Sequence, residues 1–297
     1  MTRRAPPTVR RRSRWLLAAI VGASVLAAVV GAVAVYFAMS GNQAGAVAWT
    51  RLGTQDVHSL AFAPGTTDTV YFGHHGGVLG STDGGRTWRP LGAASDAMGM
   101  RPADDGSIVI AGHEVFQAST DGGSSWREIP NDLPNTDIHG FARDPGDPAR
   151  MWAYLAAGGL YESLDGGRTW LQAFAGHLPF ITAVRPAGSL RLIGIDPNTG
   201  LASSVDGGRT WTPVSVPPTA PIQSLAATGD GRIVLIGGPR GVFRSDDGGQ
   251  SWQKTGLEVS TLAIAASDDG RSVAAVSRAT EFYRSDDGGA TWGGPPR

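Results

Sequence analysis

One eight-residue motif recurs six times in this 297-residue chain, and no other feature restricts its fold as strongly. The copies are Ser81–Trp88 (STDGGRTW), Ser119–Trp126 (STDGGSSW), Ser163–Trp170 (SLDGGRTW), Ser204–Trp211 (SVDGGRTW), Ser245–Trp252 (SDDGGQSW) and Ser285–Trp292 (SDDGGATW). Their aspartates, Asp83, Asp121, Asp165, Asp206, Asp247 and Asp287, follow one another at 38, 44, 41, 41 and 40 residues. A period near forty, with strand-like sequence between copies, implies a β-propeller in which each repeat is one four-stranded blade. After the N-terminal segment about 250 residues remain, the size of one closed ring.

That N-terminal segment differs in kind. Arg3, Arg4, Arg10, Arg11, Arg12 and Arg14 come first, and no acidic residue precedes Asp56. Trp15 to Ala38 then runs for 24 residues without a charge. At 1.5 Å per residue this crosses a hydrocarbon core of ~30 Å. The reading is a cytoplasmic Arg-rich tail over 1–14, a transmembrane anchor over 15–39, a linker over 40–47 and a propeller over 48–297, held outside the cytoplasm because the Arg cluster stays inside. The alternative is a cleaved signal peptide ending near Ala44-Gly45-Ala46, which would leave a secreted propeller. The apolar run exceeds the 7–15 residues of a signal core, which favours the anchor.

Without the six leading Arg, 19 basic residues face 26 acidic ones, so the propeller carries about −7, which argues against a nucleic-acid partner. The chain has no Cys, which excludes disulfides, thiolate metal sites and thiol nucleophiles. Lys254 is its one lysine among 25 basic residues, and with abundant Ala and Gly this points to a high-GC bacterial source.

Within blade 1 the strands read Val57–Ala63, Thr69–Gly73, Gly77–Ser81 and Thr87–Leu91, divided by turn residues. The last repeat ends in Trp292-Gly-Gly-Pro-Pro-Arg297, a poor ladder strand. Trp49-Thr-Arg-Leu52-Gly53 mimics Trp88-Arg-Pro-Leu91-Gly92, so the N-terminal strand is expected to complete blade 6. Such closure removes exposed sheet edges.

The motif Ser-x-Asp-x-Gly-x-Thr-Trp is that of the BNR or Asp-box propellers, which the chain resembles from Trp49 to its end. That group includes bacterial sialidases, xyloglucan-cleaving hydrolases, sortilin-type receptor domains and a photosystem II assembly factor. The resemblance implies an all-β, six-bladed propeller with each box on the turn between third and fourth strands, away from the usual binding face. The six box Asp and Trp88, Trp126, Trp170, Trp211, Trp252 and Trp292 are therefore structural: Asp accepts backbone N–H groups, Gly permits positive φ, and Trp buries apolar surface.

Chemistry is expected at the channel mouth, where the starts of innermost strands meet the turns between second and third strands. Aligning innermost strands on Pro64, Pro102, Pro145 and Pro186 gives one ring of His58, Asp96, His139, Phe180, Gln223 and Ser260. A more apolar layer, Leu60, Met98, Phe141, Thr182, Leu225 and Leu262, lies two residues on. His75 and His113 occupy the adjoining turns of blades 1 and 2, beside His74. All six His fall in blades 1 to 4. Asp56-Val-His58 and Asp137-Ile-His139 repeat an Asp-x-His pattern in which the carboxylate can orient the ring. Imidazoles, carboxylates and the Met98 thioether suit zinc or copper, so the expected binding set is His58, His75, Asp96, His113 and His139, with Met98 as a further metal ligand. Polar blade tops without a ligand are the plainer alternative.

Enzyme readings follow from the resemblance. A sialidase needs three mouth Arg, a Tyr–Glu pair and an acid Asp. None of Tyr36, Tyr71, Tyr154, Tyr161 or Tyr283 begins an innermost strand, and Arg101, Arg143 and Arg185 sit near the far strand ends. A different glycosidase needs two carboxylates ~5–10 Å apart, for which Asp96 with Asp56, Asp137 or Glu114 are the candidates. Glu114 and Glu281 read otherwise as solvated turn residues. The sequence therefore points first to a binding module for a protein, glycan or metal at the cell surface, and second to an inverting glycoside hydrolase. It leaves the oligomeric state open.

Overall fold

Val70–His74 and Gly77–Ser81 form a hairpin around His75 and Gly76, because Gly77 can adopt φ 114° at the re-entry to the second strand. The same hairpin recurs in every blade, flanked by an inner and an outer strand. The computed structural model describes residues 48–92 and 96–293. The tail, anchor and linker expected over 1–47 lie outside the described residues. Among the described residues no helix is long and apolar enough to cross a membrane.

Six four-stranded antiparallel sheets form the ring. From blade 1 to blade 6 the innermost strands are Ser59–Phe62, Gly99–Pro102, Ile138–Asp144, Phe180–Val184, Ser224–Ala227 and Thr261–Ala266. Blade 6 is completed by the N-terminal strand Thr50–Arg51, with Thr50 opposite Phe282 and Arg51 opposite Glu281. The Trp49 N–H also donates to the Phe282 carbonyl at 2.7 Å. Gly293, just after Trp292, makes an isolated bridge to Arg284. The expected closure by the N-terminal strand is thus the observed one.

The core is divided among the seams between blades. Leu60, Phe72 and Phe282 fill the seam of blades 6 and 1, Tyr71, Met100 and Ile110 that of blades 1 and 2, and Phe116, Phe141 and Trp170 that of blades 2 and 3. Three similar clusters occupy the remaining seams.

The boxes tie each turn to itself and to the preceding blade. Asp83 Oδ1 accepts the N–H groups of Arg86 and Thr87, both at 2.9 Å, and the Ser81 hydroxyl at 2.8 Å, while Oδ2 accepts the Thr87 hydroxyl at 2.6 Å. The Trp88 indole donates to the Gly85 carbonyl at 3.0 Å. Gly85, at φ 93°, lies so close to blade 6 that an added Cβ would stand 2.2 Å from Phe282 Cε1. The box therefore sets a blade-to-blade contact that no side chain at that position permits. In blade 5 the indole of Trp252 donates instead to Ser215 Oγ of blade 4, at 3.0 Å.

The alignment is corrected in blade 4, where Ala183 pairs with Leu192 and so matches Phe62, which sets Phe180 level with Ser59 rather than His58, and also in blade 2. Pro64 follows the innermost strand of blade 1, whereas Pro102 is the last residue of its strand and pairs with Ile108. Phe62 pairs with Val70, the residue equivalent to Ile108, so Pro102 matches Phe62 and blade 2 shifts by two residues. Asp96 then stands level with Asp56, and Met98 level with His58. A shift of two keeps each side chain on its face, so the residues still converge.

Candidate metal centre at the channel mouth

Backbone bonds between consecutive blades assemble the mouth. The Asp96 N–H donates to the His75 carbonyl at 3.2 Å, joining the hairpin turn of blade 1 to the segment that leads into the innermost strand of blade 2. In the same way Glu114 N–H donates to the Thr136 carbonyl at 3.0 Å, and His113 bridges to Asp137. Each turn His is thereby brought to the Asp that opens the next blade.

The result is a continuous arc of seven side chains: Asp56, His58, His75, Asp96, His113, Asp137 and His139. His58 Nε2 lies 3.2 Å from His75 Nδ1 and 3.2 Å from Asp96 Oδ1. His75 Nδ1 contacts Asp56 Oδ2, and His75 Nε2 lies 3.6 Å from Asp96 Oδ1. Asp96 Oδ2 meets His113 Nδ1. At the far end, His113 Nε2 is 3.2 Å from both His139 Nε2 and Asp137 Oδ1, and His139 Nε2 is 3.0 Å from Asp137 Oδ1. Three trios result, Asp56/His58/His75, His75/Asp96/His113 and His113/Asp137/His139, each with ligand atoms mutually within 4.8 Å.

The arc grades from solvent into protein. The His75 and His113 side chains are 56% and 43% exposed, whereas Asp96 is 6% and His58 13%. Asp96 also has φ 68°, a left-handed conformation that costs a non-glycine residue of order 1–3 kcal/mol. Its buried Oδ1 accepts no hydrogen bond. An unsatisfied buried carboxylate oxygen costs ~1–3 kcal/mol or more, so the fold bears two penalties at one residue.

Burial holds the His58 pKa below the ordinary imidazole value, which keeps its ring neutral and its lone pair available. The Asp56 hydrogen bond raises His75 above that value. Burial pushes Asp56 up, but hydrogen bonds from the His75 backbone and ring outweigh it and leave the carboxyl below the usual range.

Met98 lines a cavity of about 230 Å³ together with His58, His139, Phe180 and Gln223, whereas Met100 is fully buried. His74 stacks on Phe72, with ring centroids 5.8 Å apart, and accepts the Gly76 N–H at 3.0 Å. His177 pairs with Tyr154. Glu114 is exposed, at φ 56°, beside His113 and Asp137. Glu281 is not simply solvated: it pairs with Arg51 of the closing strand at 2.9 Å and accepts the Tyr283 hydroxyl at 2.8 Å. Burial and Glu281 push Tyr283 up to about 12, the opposite of an activated nucleophile.

The Arg residues do not form a mouth cluster. Arg185 pairs with buried Asp144 at 2.6 Å, and Arg143 donates to Ser107 Oγ and the Pro148 carbonyl, both at 2.8 Å. Arg101 departs from expectation. Its guanidinium crosses the channel from blade 2 to the Ile181 carbonyl of blade 4 at 3.2 Å, and burial lowers its pKa to about 10. Its reach depends on the ring geometry, and no local sequence signal marks it.

The BNR/Asp-box repeat pattern matches residues 243–254, from the end of the third strand of blade 5 through its box to its outer strand Gln253–Lys254. With six such boxes on six blades, the architecture is decided. The chain is an Asp-box repeat propeller. Solved propellers resemble it at low identity. A GH74 xyloglucanase from Xanthomonas campestris is 20% identical, with a TM-score of 0.54 over 82% of this chain and 46% of that one. This propeller therefore spans about half the length of that enzyme. YCF48 bound to D1 peptide is 20% identical, TM-score 0.50, covering 82% of this chain and 83% of that one. YCF48 from Cyanidioschyzon merolae is 21% identical, TM-score 0.51, covering 83% and 87%. At these identities the likeness concerns the fold alone. No curated protein matches the propeller in sequence.

Proposed function

We propose that this propeller is a ligand-binding module on the outer face of the membrane whose mouth takes up zinc or copper. The observation that carries the reading is the trio His113 Nε2, Asp137 Oδ1 and His139 Nε2, mutually 3.0–3.2 Å apart. Ligand atoms at ~2.0–2.1 Å from a tetrahedral metal stand ~3.3 Å from one another. A single proton between two of these atoms leaves the third facing a lone pair, whereas a divalent cation serves all three. Two imidazoles and a carboxylate suit zinc or copper and leave a coordination position open for a partner group, such as a glycan hydroxyl or a protein side chain. The peptide held by YCF48 supports a protein partner. The apolar run over 15–39 supports membrane anchoring.

The test is metal content and calorimetric titration of the full chain in detergent with zinc and copper. Stoichiometric binding lost in the His58→Ala/His139→Ala double variant supports the reading, and binding unchanged both by that variant and by Asp96→Asn rejects it.

The xyloglucanase likeness favours a second reading, a glycoside hydrolase using Asp96 with Asp56 or Asp137. Each of these carboxylates is engaged by an imidazole, which suits metal ligation better than proton donation to a leaving group. Turnover of a glycan by the wild type, abolished in Asp96→Asn with glycan binding retained, would favour the hydrolase.

A further inference from the structure

Resting on the metal reading, we infer that the mouth holds two ions, one at each end of the arc, with Asp96 as the carboxylate that positions an imidazole of each. The two ends have the same composition from different blades. Asp56, His58 and His75 form one set within blade 1, and Asp137 and His139 of blade 3 join His113 of blade 2 in the other. Each supplies two imidazoles and one carboxylate. The first set presents Nδ1 of His75 and the second Nε2 of His113, so the opposite ring nitrogens, His75 Nε2 and His113 Nδ1, both face Asp96.

A metal-bound His donates its remaining ring N–H to a carboxylate or carbonyl, which fixes its tautomer and strengthens the ligand. Asp96 stands where one carboxylate serves two such rings. His113 Nδ1 contacts Oδ2, and His75 Nε2 lies 3.6 Å from the unsatisfied Oδ1. Metal at both ends commits His75 and His113 to the tautomers that direct N–H toward Asp96. It thereby turns a donor toward the buried Asp96 oxygen that lacks one. A single ion on the central trio would instead leave His58 and His139 outside the coordination sphere. It would also make Asp96 a direct ligand.

Charge agrees with two ions. Three carboxylates, Asp56, Asp96 and Asp137, carry −3 against +4 for two divalent cations, so the residue of +1 is met by one hydroxide or one anionic partner group. Such open positions lie on the exposed side of the arc, where His75 and His113 reach solvent.

The experiment is the zinc and copper stoichiometry of the full chain, measured by elemental analysis and calorimetry on the wild type and three variants. Two equivalents are expected in the wild type, one in His58→Ala and one in His139→Ala. In Asp96→Asn both equivalents remain, but their affinities fall together by ~10–100-fold, as for loss of a supporting carboxylate. Should an alanine variant fail to fold, Gln at the same position replaces it. One equivalent in the wild type, lost in Asp96→Asn and kept in His58→Ala and His139→Ala, would place a single ion at the centre and overturn the two-ion arrangement while leaving the metal reading intact. No bound metal in the wild type overturns both.

Discussion

The box face and the mouth use aspartate in opposite ways. In a box, every bond to the carboxylate comes from within four residues: Asp121 takes the Ser119 hydroxyl at 2.8 Å, the Ser125 N–H at 2.8 Å and its hydroxyl at 2.6 Å. The turn is satisfied by itself and recurs six times. At the mouth, Asp96 meets groups 38, 21 and 17 residues away in His58, His75 and His113, and one oxygen is left without a donor. An aspartate saturated by its own turn is structural. One held buried in a strained backbone among distant imidazoles stores an unmet demand, and a cation meets it.

The sharpest way to break this contrast begins at the boxes. Gly85→Ala drives a Cβ into Phe282 at a residue held at φ 93°. Overpacking and the left-handed conformation together cost about 2–5 kcal/mol. Chemical denaturation should show that loss, while the fraction still folded binds metal as the wild type does. A wild-type midpoint for Gly85→Ala would show that the box contact is not what joins the blades.

The same substitution at both faces is the next comparison. Asp247→Asn replaces the oxygen that accepts the Ser251 hydroxyl at 2.5 Å by an amide donor and removes the charge that faces the Gln250 and Ser251 N–H groups, so it should lower the melting temperature without touching metal affinity. Asp96→Asn should do the reverse. Asn tolerates positive φ, so the apo-protein stability stays within ~1 kcal/mol while metal binding weakens. Equal melting losses in the two variants would erase the distinction.

Acid supplies a third test. Hydrogen bonds from the Ser125 hydroxyl and N–H hold Asp121 at about 2, and those from Ser251 hold Asp247 at about 2. Because the folded values lie below the unfolded value of ~3.9, their contribution is complete above ~3.9 and is lost as pH falls through about 2. Tryptophan fluorescence should therefore report an acid midpoint below pH ~3. A midpoint near 4 to 5 would mean that carboxylates elsewhere limit the fold.

The smallest effect concerns Glu114. It is exposed beside His113 but belongs to none of the three ligand sets, so Glu114→Gln should change metal affinity by less than ~2-fold. A larger change would extend the site to the rim.

Much of this molecule is written locally. The six boxes, their period and the imitation of Trp88–Leu91 by Trp49–Leu52 were enough to specify six blades and their closure, because each box bonds within its own turn and each hairpin pairs neighbours in sequence. The residues of the mouth were legible too, since blade alignment places His58, His75, Asp96, His113 and His139 at one end of the channel. What alignment could not supply was their register and connectivity. Pro102 ends a strand where Pro64 follows one, so Asp96 moved to the level of Asp56, and Asp56 and Asp137 proved to be as near the imidazole nitrogens as Asp96 is. The span of Arg101 across the channel was likewise invisible. Distances between side chains of different blades depend on ring closure and on the backbone bonds from each turn to the next blade. No local propensity encodes them, so only the tertiary structure decided which lone pairs converge.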